Sequence, residues 1–163
     1  MISPSDYWMG REKLYPDEWT AEIQENGAET INKVNRFLEL AKMEGIVRNT
    51  VSSGWRPSAL NDLTSNAAKK SNHILAKACD IADPDRALAQ WTVLNKSKLS
   101  ECGLFAEDPR WCAKKQKDGS IAYWVHLQTV PPASGKLIFI PSVSPPTAPK
   151  LNGQGDLPLV RVI

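Results

Sequence analysis

A chain of 163 residues, 42% of them apolar and 23% charged, is long enough for one domain with its own core and too short for two ordinary ones. No stretch approaches the roughly 20 apolar residues that span a bilayer, so no membrane span is expected. The formal net charge is +2, and the lysines gather in short groups (Lys69-Lys70, then Lys114-Lys115 with Lys117) that read as solvated loops and not as a nucleic-acid stripe.

From Met1 to Tyr15 the chain mixes Tyr7, Trp8, Met9 and Leu14 with polar residues, and reads as an ordered arm packing its aromatics onto the body. Pro16-Asp17 resembles a helix entry, with Asp17 as N-cap. Trp19, Ile23, Ile31, Val34, Leu38 and Ala41 then recur at multiples of three to four residues. That spacing predicts a long amphipathic helix, weakened at Gly27 and stopped at Gly45. The β-branched run Ile46 to Ser53 predicts a strand. Gly54 and Pro57 end it, and a loop-helix region rich in Ser, Asn and Ala follows to Lys70. Ile74 to Ala82 contains the next short strand. At Asp83-Pro84 a helix is expected to start, with Asp83 as N-cap and Pro84 at the first position, and to run to about Ser100 with Leu88, Trp91 and Leu94 on one face.

Leu104 to Ala106, Ile121 to Thr129 and Lys136 to Ile140 are strand candidates, and Lys114 to Gly119 reads as a hairpin loop between the first two. After Pro141 the chain is rich in Pro and Gly, and neither a helix nor a central strand is expected of it. The predicted organisation is one domain over residues 1–141, N-terminal arm and helix included, and an extended Pro-rich tail over 142–163. No internal repeat is present. Segregated helices and short strands indicate α+β architecture with a small antiparallel sheet.

Cys79, Cys102 and Cys112 are odd in number and contain no CxxC pair. This argues against a disulfide framework, suits a reducing compartment, and leaves the three as small buried hydrophobes. Strand alternation turns Cys79 away from the face of its neighbour Asp80. Neither GxxxxGKS/T nor GxGxxG occurs, so no nucleotide or nicotinamide signature is present.

The chemistry-bearing residues are few. The chain has two histidines, His73 and His126. Asp80 follows His73 by seven residues, so a turn at His73 leading into a strand could aim both side chains at one pocket. His126 would come from a separate strand. Two imidazoles and a carboxylate are a donor set for catalytic zinc, which takes three protein ligands and keeps a position for water. The bland alternatives are structural histidines and an Asp80 that caps a turn.

The surrounding text strengthens the metal reading. Ser71-Asn72-His73 followed by Ala78-Cys79-Asp80-Ile81 resembles the SxHxxGxAxD pattern of the zinc D-alanyl-D-alanine peptidase family, which includes dipeptidases and phage endolysin peptidases. Ser53-Gly54-Trp55-Arg56-Pro57 followed by Asn61 resembles that family's SGxR…N element. Trp124-Val125-His126-Leu127 resembles the segment bearing its last zinc-binding histidine. The order and separations of the three blocks fit, over roughly Val47 to Pro141. Tyr7 through Arg11, Gly103 through Phe105 with Glu107 and Pro109, and Trp124 through Gly135 look like a phage-associated branch.

The resemblance implies a hedgehog/DD-peptidase-like fold, zinc held by His73, Asp80 and His126, and hydrolysis of an amide bond in bacterial cell-wall (D-alanyl) peptides. Arg56 would steady an oxyanion or hold a substrate carboxylate. Ser71, Trp124 and Gln128 would border the peptidoglycan substrate. Met1 to Leu14 has no continuous apolar core, so a secretory signal is not expected. The chain would be made in the cytoplasm and reach the cell wall after release or within a phage particle.

Two departures from the family pattern bear on activity. Ala76 stands where the family has Gly, which matters if the backbone there needs positive φ. Many members also carry an acid three residues before the last histidine, or an Asp two residues after it. Here those positions are Tyr123 and Gln128, and an amide cannot take a proton from water. Glu107 is the candidate general base, with Asp108 as runner-up; otherwise Glu107-Asp108-Pro109 is a polar turn. The rival expectation is a fold that keeps the metal but acts as a binding or phage structural protein.

Overall fold

The computed structural model describes residues 1–64 and 67–141. The expected tail, 142–163, lies outside the described residues.

The N-terminal arm is helical. Helix α1 (Pro4–Trp8) begins on a capping box in which Ser3 Oγ accepts from the Asp6 amide and Asp6 Oδ2 accepts from the Ser3 amide. Met9 (φ 58°) and Gly10 (φ 73°) then reverse the chain into α2 (Arg11–Leu14). As expected of the arm, its aromatics pack inward, with Tyr7 fully buried and Trp8 meeting Trp19 and Trp55 edge-on.

Pro16–Glu18 forms a single 3-10 turn, so Asp17 is not the N-cap of the long helix. Helix α3 (Ala21–Met43) starts three residues later, with Thr20 accepting from the Ile23 amide at 3.3 Å. The helix ends before Gly45, which adopts φ 85°. Gly27 is no weak point: a Cβ there would lie 1.9 Å from Trp8 Cη2, so its missing side chain is the seat for that indole. Val34, Phe37, Leu38 and Ala41 form the buried stripe.

Strand β1 is confined to Val51–Ser53, shorter than its apolar run suggests, and α4 covers Ser58–Leu63. Strand β2 is Ala78–Ala82. The helix expected from Asp83 to Ser100 is two helices, α5 (Ala87–Leu94) and α6 (Lys96–Cys102), broken at Asn95. Asp83 still serves α5 from outside it: the chain turns through Arg86 (φ 63°), and the buried carboxylate accepts from the Leu88 and Ala89 amides at 3.1 and 2.8 Å. Leu94 faces outward at 74% exposure and does not join Leu88 and Trp91 in the core.

Strand β3 is Phe105–Glu107, β5 is Ile121–Gln128 and β6 is Ile138–Phe139. A further strand, β4 (Ala113–Lys115), takes the first two residues of the expected Lys114 to Gly119 loop, pairs with the start of β5 and leaves the hairpin turn at 116–120. The α+β expectation holds. The sheet runs β1-β2-β5-β3-β6 with β4 also on β5, and every pairing is antiparallel except β3 with β6. Cys79, Ile81, Ala106, Val125 and Leu127 take one face, against α3, α5 and α6. Alternation gives the opposite face to Asp80, Phe105, Glu107, Trp124, His126 and Gln128. All three cysteines are free and buried.

Candidate metal centre

Register builds half of the site. Asp80 on β2 lies directly opposite His126 on β5, so a carboxylate and an imidazole meet on the uncovered face with no loop between them. The Asp80 Oδ1 to His126 Nδ1 distance is 2.8 Å. His73 joins them from the turn before β2, with Nε2 3.3 Å from Asp80 Oδ2.

That turn is held from all sides. Every carbonyl from Asn72 to Ala78 accepts a hydrogen bond. Within the turn, Asn72 accepts from the Lys77 amide and His73 from the Ala76 amide. The Gly54-Trp55-Arg56 segment clamps it: the Arg56 amide donates to His73 O at 3.1 Å, and Trp55 Nε1 donates to Ile74 O at 3.2 Å. Helix α3 contributes Asn26 Nδ2 to Leu75 O and Thr30 Oγ1 to Ala76 O, at 3.0 and 2.8 Å. The Thr129 amide reaches Lys77 O, and Tyr7 Oη reaches Ala78 O. Ala76 sits at φ 55°, the left-handed conformation that lets the chain leave the turn into β2.

Both imidazoles are fixed at the nitrogen away from Asp80. His73 Nδ1 is 2.8 Å from the carbonyl of Gly54. That carbonyl is within reach because Gly54 has no side chain: a Cβ would fall 1.9 Å from Tyr7 O. His126 Nε2 is 3.3 Å from Gln128 Oε1. Since a carbonyl oxygen only accepts, these contacts call for hydrogen on His73 Nδ1 and His126 Nε2, and leave His73 Nε2 and His126 Nδ1, the atoms that face the Asp80 carboxylate, as the ones an ion would take. Ligand atoms of His73, Asp80 and His126 all lie within 4.8 Å of one another. Tetrahedral zinc with bonds near 2.1 Å needs donors about 3.4 Å apart. Two nitrogens and one carboxylate oxygen in this arrangement therefore fit zinc in spacing and in donor chemistry.

Without an ion, the three groups hold one another by charge. Burial opposes ionisation of Asp80, but the two imidazoles outweigh it and hold the carboxyl well below the usual range. Burial also opposes charge on His126, yet Asp80 pulls its pKa above the ordinary value. Glu107 ends β3. Phe105 pairs with Gln128 and Ala106 with Leu127, so one further step in the same register brings Glu107 level with His126. Burial raises its pKa; His126 opposes the rise, and the charges of Asp80 and Asp108 add to it. Asp108 is turned into a bidentate pair with Arg110, at 3.0 and 2.7 Å.

Arg56 donates through Nη2 to Ser71 Oγ at 3.2 Å, while its Nε is buried with no partner. Ser71 also accepts from the His73 amide, so it orients both Arg56 and the metal-site turn. Trp124 is half-buried on the site face of β5. Gln128 is 5% exposed, and both atoms of its amide are engaged by the protein. Tyr123 is on the other face of β5 from His126, with the Arg86 guanidinium 5.1 Å over its ring.

Sequence reasoning missed Tyr7, Asn26, Thr30 and Asn72 as supports of the site. Thr30 left a signal, a hydroxyl within the apolar stripe of α3. Among the described residues, no helix is long and apolar enough to cross a membrane. Compared with protein-family models, curated proteins and solved structures, the chain matches none.

Proposed function

We propose that this protein is a zinc-dependent peptidase that hydrolyses an amide bond in bacterial cell-wall peptides. The observation that carries the proposal is the convergence of His73 Nε2, Asp80 and His126 Nδ1 on one face of the sheet. The cell-wall substrate rests on the resemblance of the three sequence blocks around these residues.

When bound, zinc supplies Lewis-acid polarisation of a carbonyl and lowers the pKa of water. The chain's own residues do the rest. His73 and His126 would hold the zinc through Nε2 and Nδ1, and Asp80 would contribute negative charge that offsets part of the ion's. Glu107, half-buried at the level of His126, takes the proton from the attacking water and passes it to the amine as the C–N bond breaks. Its raised pKa suits both halves of that transfer. An acid at position 123 would face away from the site, which favours a base from β3. Arg56, held by Ser71 through one Nη2 bond, would use the rest of its terminal fork for the oxyanion or for a substrate carboxylate.

The test is digestion of purified peptidoglycan by zinc-loaded protein, with mass spectrometry of the products and a His73→Ala control. New amine and carboxyl ends that vanish in the control are the expected result, and their masses name the bond. Glu107→Gln is expected to bind zinc as the parent does and to lose at least a hundredfold in kcat, in line with loss of a positioned base. If Glu107→Gln kept full activity, the base would have to be another group. Stoichiometric zinc with no cleavage would favour the second reading, a metal-holding binding or phage structural protein. Tyr123 and Gln128, where many members of the resembling family carry acids, support that reading.

A further inference from the structure

We infer that Gln128 is a positioning residue that fixes the tautomer and ring orientation of His126, and that Asn72 ties it to the His73 turn. The inference rests on the metal-centre reading above and assigns a role to a residue next to the site.

The amide of Gln128 can face one way only. Its Nε2 donates to Val130 O at 2.6 Å, and its Oε1 accepts from Asn72 Nδ2 at 3.0 Å. Turned over, the group would set its carbonyl against that of Val130, which cannot donate, and lose that bond. With Oε1 thus aimed at His126 Nε2, 3.3 Å away, the nitrogen there must carry hydrogen. Asp80 Oδ1 also only accepts, so Nδ1 is the nitrogen that donates to Asp80 here, and it is the one an ion would take in place of that proton, because Nε2 stays held by Gln128. The bond to an acceptor also makes the imidazole a stronger donor to a metal.

Asn72 precedes His73 in the chain, and Gln128 is two residues from His126 on the same strand face. The Asn72–Gln128 bond therefore joins the turn that carries one ligand to the strand that carries another. With 5% exposure and both polar atoms of its amide engaged by the protein, Gln128 holds the site together and does not contact substrate.

The experiment measures zinc affinity by competition with a chromophoric chelator for the parent, Gln128→Leu, Gln128→Glu and Asn72→Ala. It is paired with nitrogen-15 NMR of the histidine rings in zinc-loaded protein. Gln128→Leu should weaken zinc binding by about 10- to 100-fold, the usual cost of removing a ligand's outer partner. Gln128→Glu keeps an acceptor towards His126 and Asn72 but loses the donor to Val130. It should recover most of the affinity while its melting temperature falls, a split that a purely structural role would not produce. Asn72→Ala should cost several-fold. In the parent spectrum His126 should be metal-bound through Nδ1, with a slowly exchanging proton on Nε2.

Coordination through Nε2, or a Gln128→Leu protein that binds zinc as tightly as the parent, would overturn the inference. The parent spectrum decides the matter even where a variant does not fold. A parent that takes up no zinc would instead overturn the metal-centre reading, and this one with it.

Discussion

Ala76 shows how a single position can oppose its own conformation. At φ 55° an L-residue carries about 1 kcal/mol of strain that glycine would relieve. Its methyl is fully buried, however, and one buried methyl is worth about 0.8 kcal/mol. The two nearly cancel, so Ala76→Gly is expected to change stability by less than about 0.5 kcal/mol. The ring of hydrogen bonds on the turn, from Thr30, Asn26 and Trp55, holds the left-handed residue in place. Ala76→Val has no such compensation, because a β-branched side chain is an outlier there and the surroundings are full. It should cost about 3 kcal/mol. Urea denaturation of both variants checks the pair; a glycine variant more than 1 kcal/mol above the parent would show that burial of the methyl counts for little.

Elements are joined here by side chains that reach into neighbouring segments. Arg48, in the segment before β1, donates through Nε to Asp83 Oδ1 at 2.9 Å and through Nη2 to Asp85. Asp83 is fully buried at the N-terminal end of α5 and also accepts from two amides of that helix. One carboxylate thus ties the edge of the sheet to the start of a helix. Removing the guanidinium leaves a buried charge with amide partners alone. Arg48→Ala should cost about 3 kcal/mol, the lower part of the range for breaking a buried pair, because Arg48 itself retains some exposure. Asp85 is largely exposed, and its part in this should be small. The measurement is the denaturation midpoint of Arg48→Ala against Arg48→Lys; if alanine lies within 1 kcal/mol of the parent, the amides alone satisfy Asp83.

At the scale of the molecule, the core and the candidate site lie on opposite faces of one sheet. Tyr7, Phe37, Ile81, Leu88, Leu99 and Leu127 are packed without help from His73, Asp80 or His126. The protein should therefore stay folded without metal, unlike small domains whose folding depends on zinc. Zinc at a thousandfold excess over its dissociation constant should add about 4 kcal/mol, which for this length raises Tm by about 10 °C. Chelation should reverse the rise, and Asp80→Asn should show little of it. Calorimetry with and without chelator tests this. Complete unfolding on chelation would mean that the site, and not the helix-covered face, organises the sheet.

Much of this was legible in the residues. The apolar stripe of α3, the strand around His126 and the free buried cysteines follow from local pattern, and the grouping of His73 with Asp80 and His126 came from the scarcity of metal-ligating side chains together with the family resemblance of the blocks around them. Local pattern failed where a local rule competed with a distant partner. Asp17 had the chemistry of an N-cap, but the 3-10 turn moved the helix start to Thr20. Asp83 was expected to cap directly, and the Arg86 turn made it cap from four residues outside the helix. Gly27 was expected to weaken its helix, and the indole of Trp8 requires it. Gln128 read along the chain is a missing acid bordering substrate; in space its amide is committed to Asn72, Val130 and His126. The sequence by itself determined which atoms are able to bind a metal. Tertiary structure alone decided which nitrogen of each imidazole faces Asp80, because that choice is made by carbonyl acceptors, and the one beside His73 belongs to Gly54, 19 residues earlier in the chain.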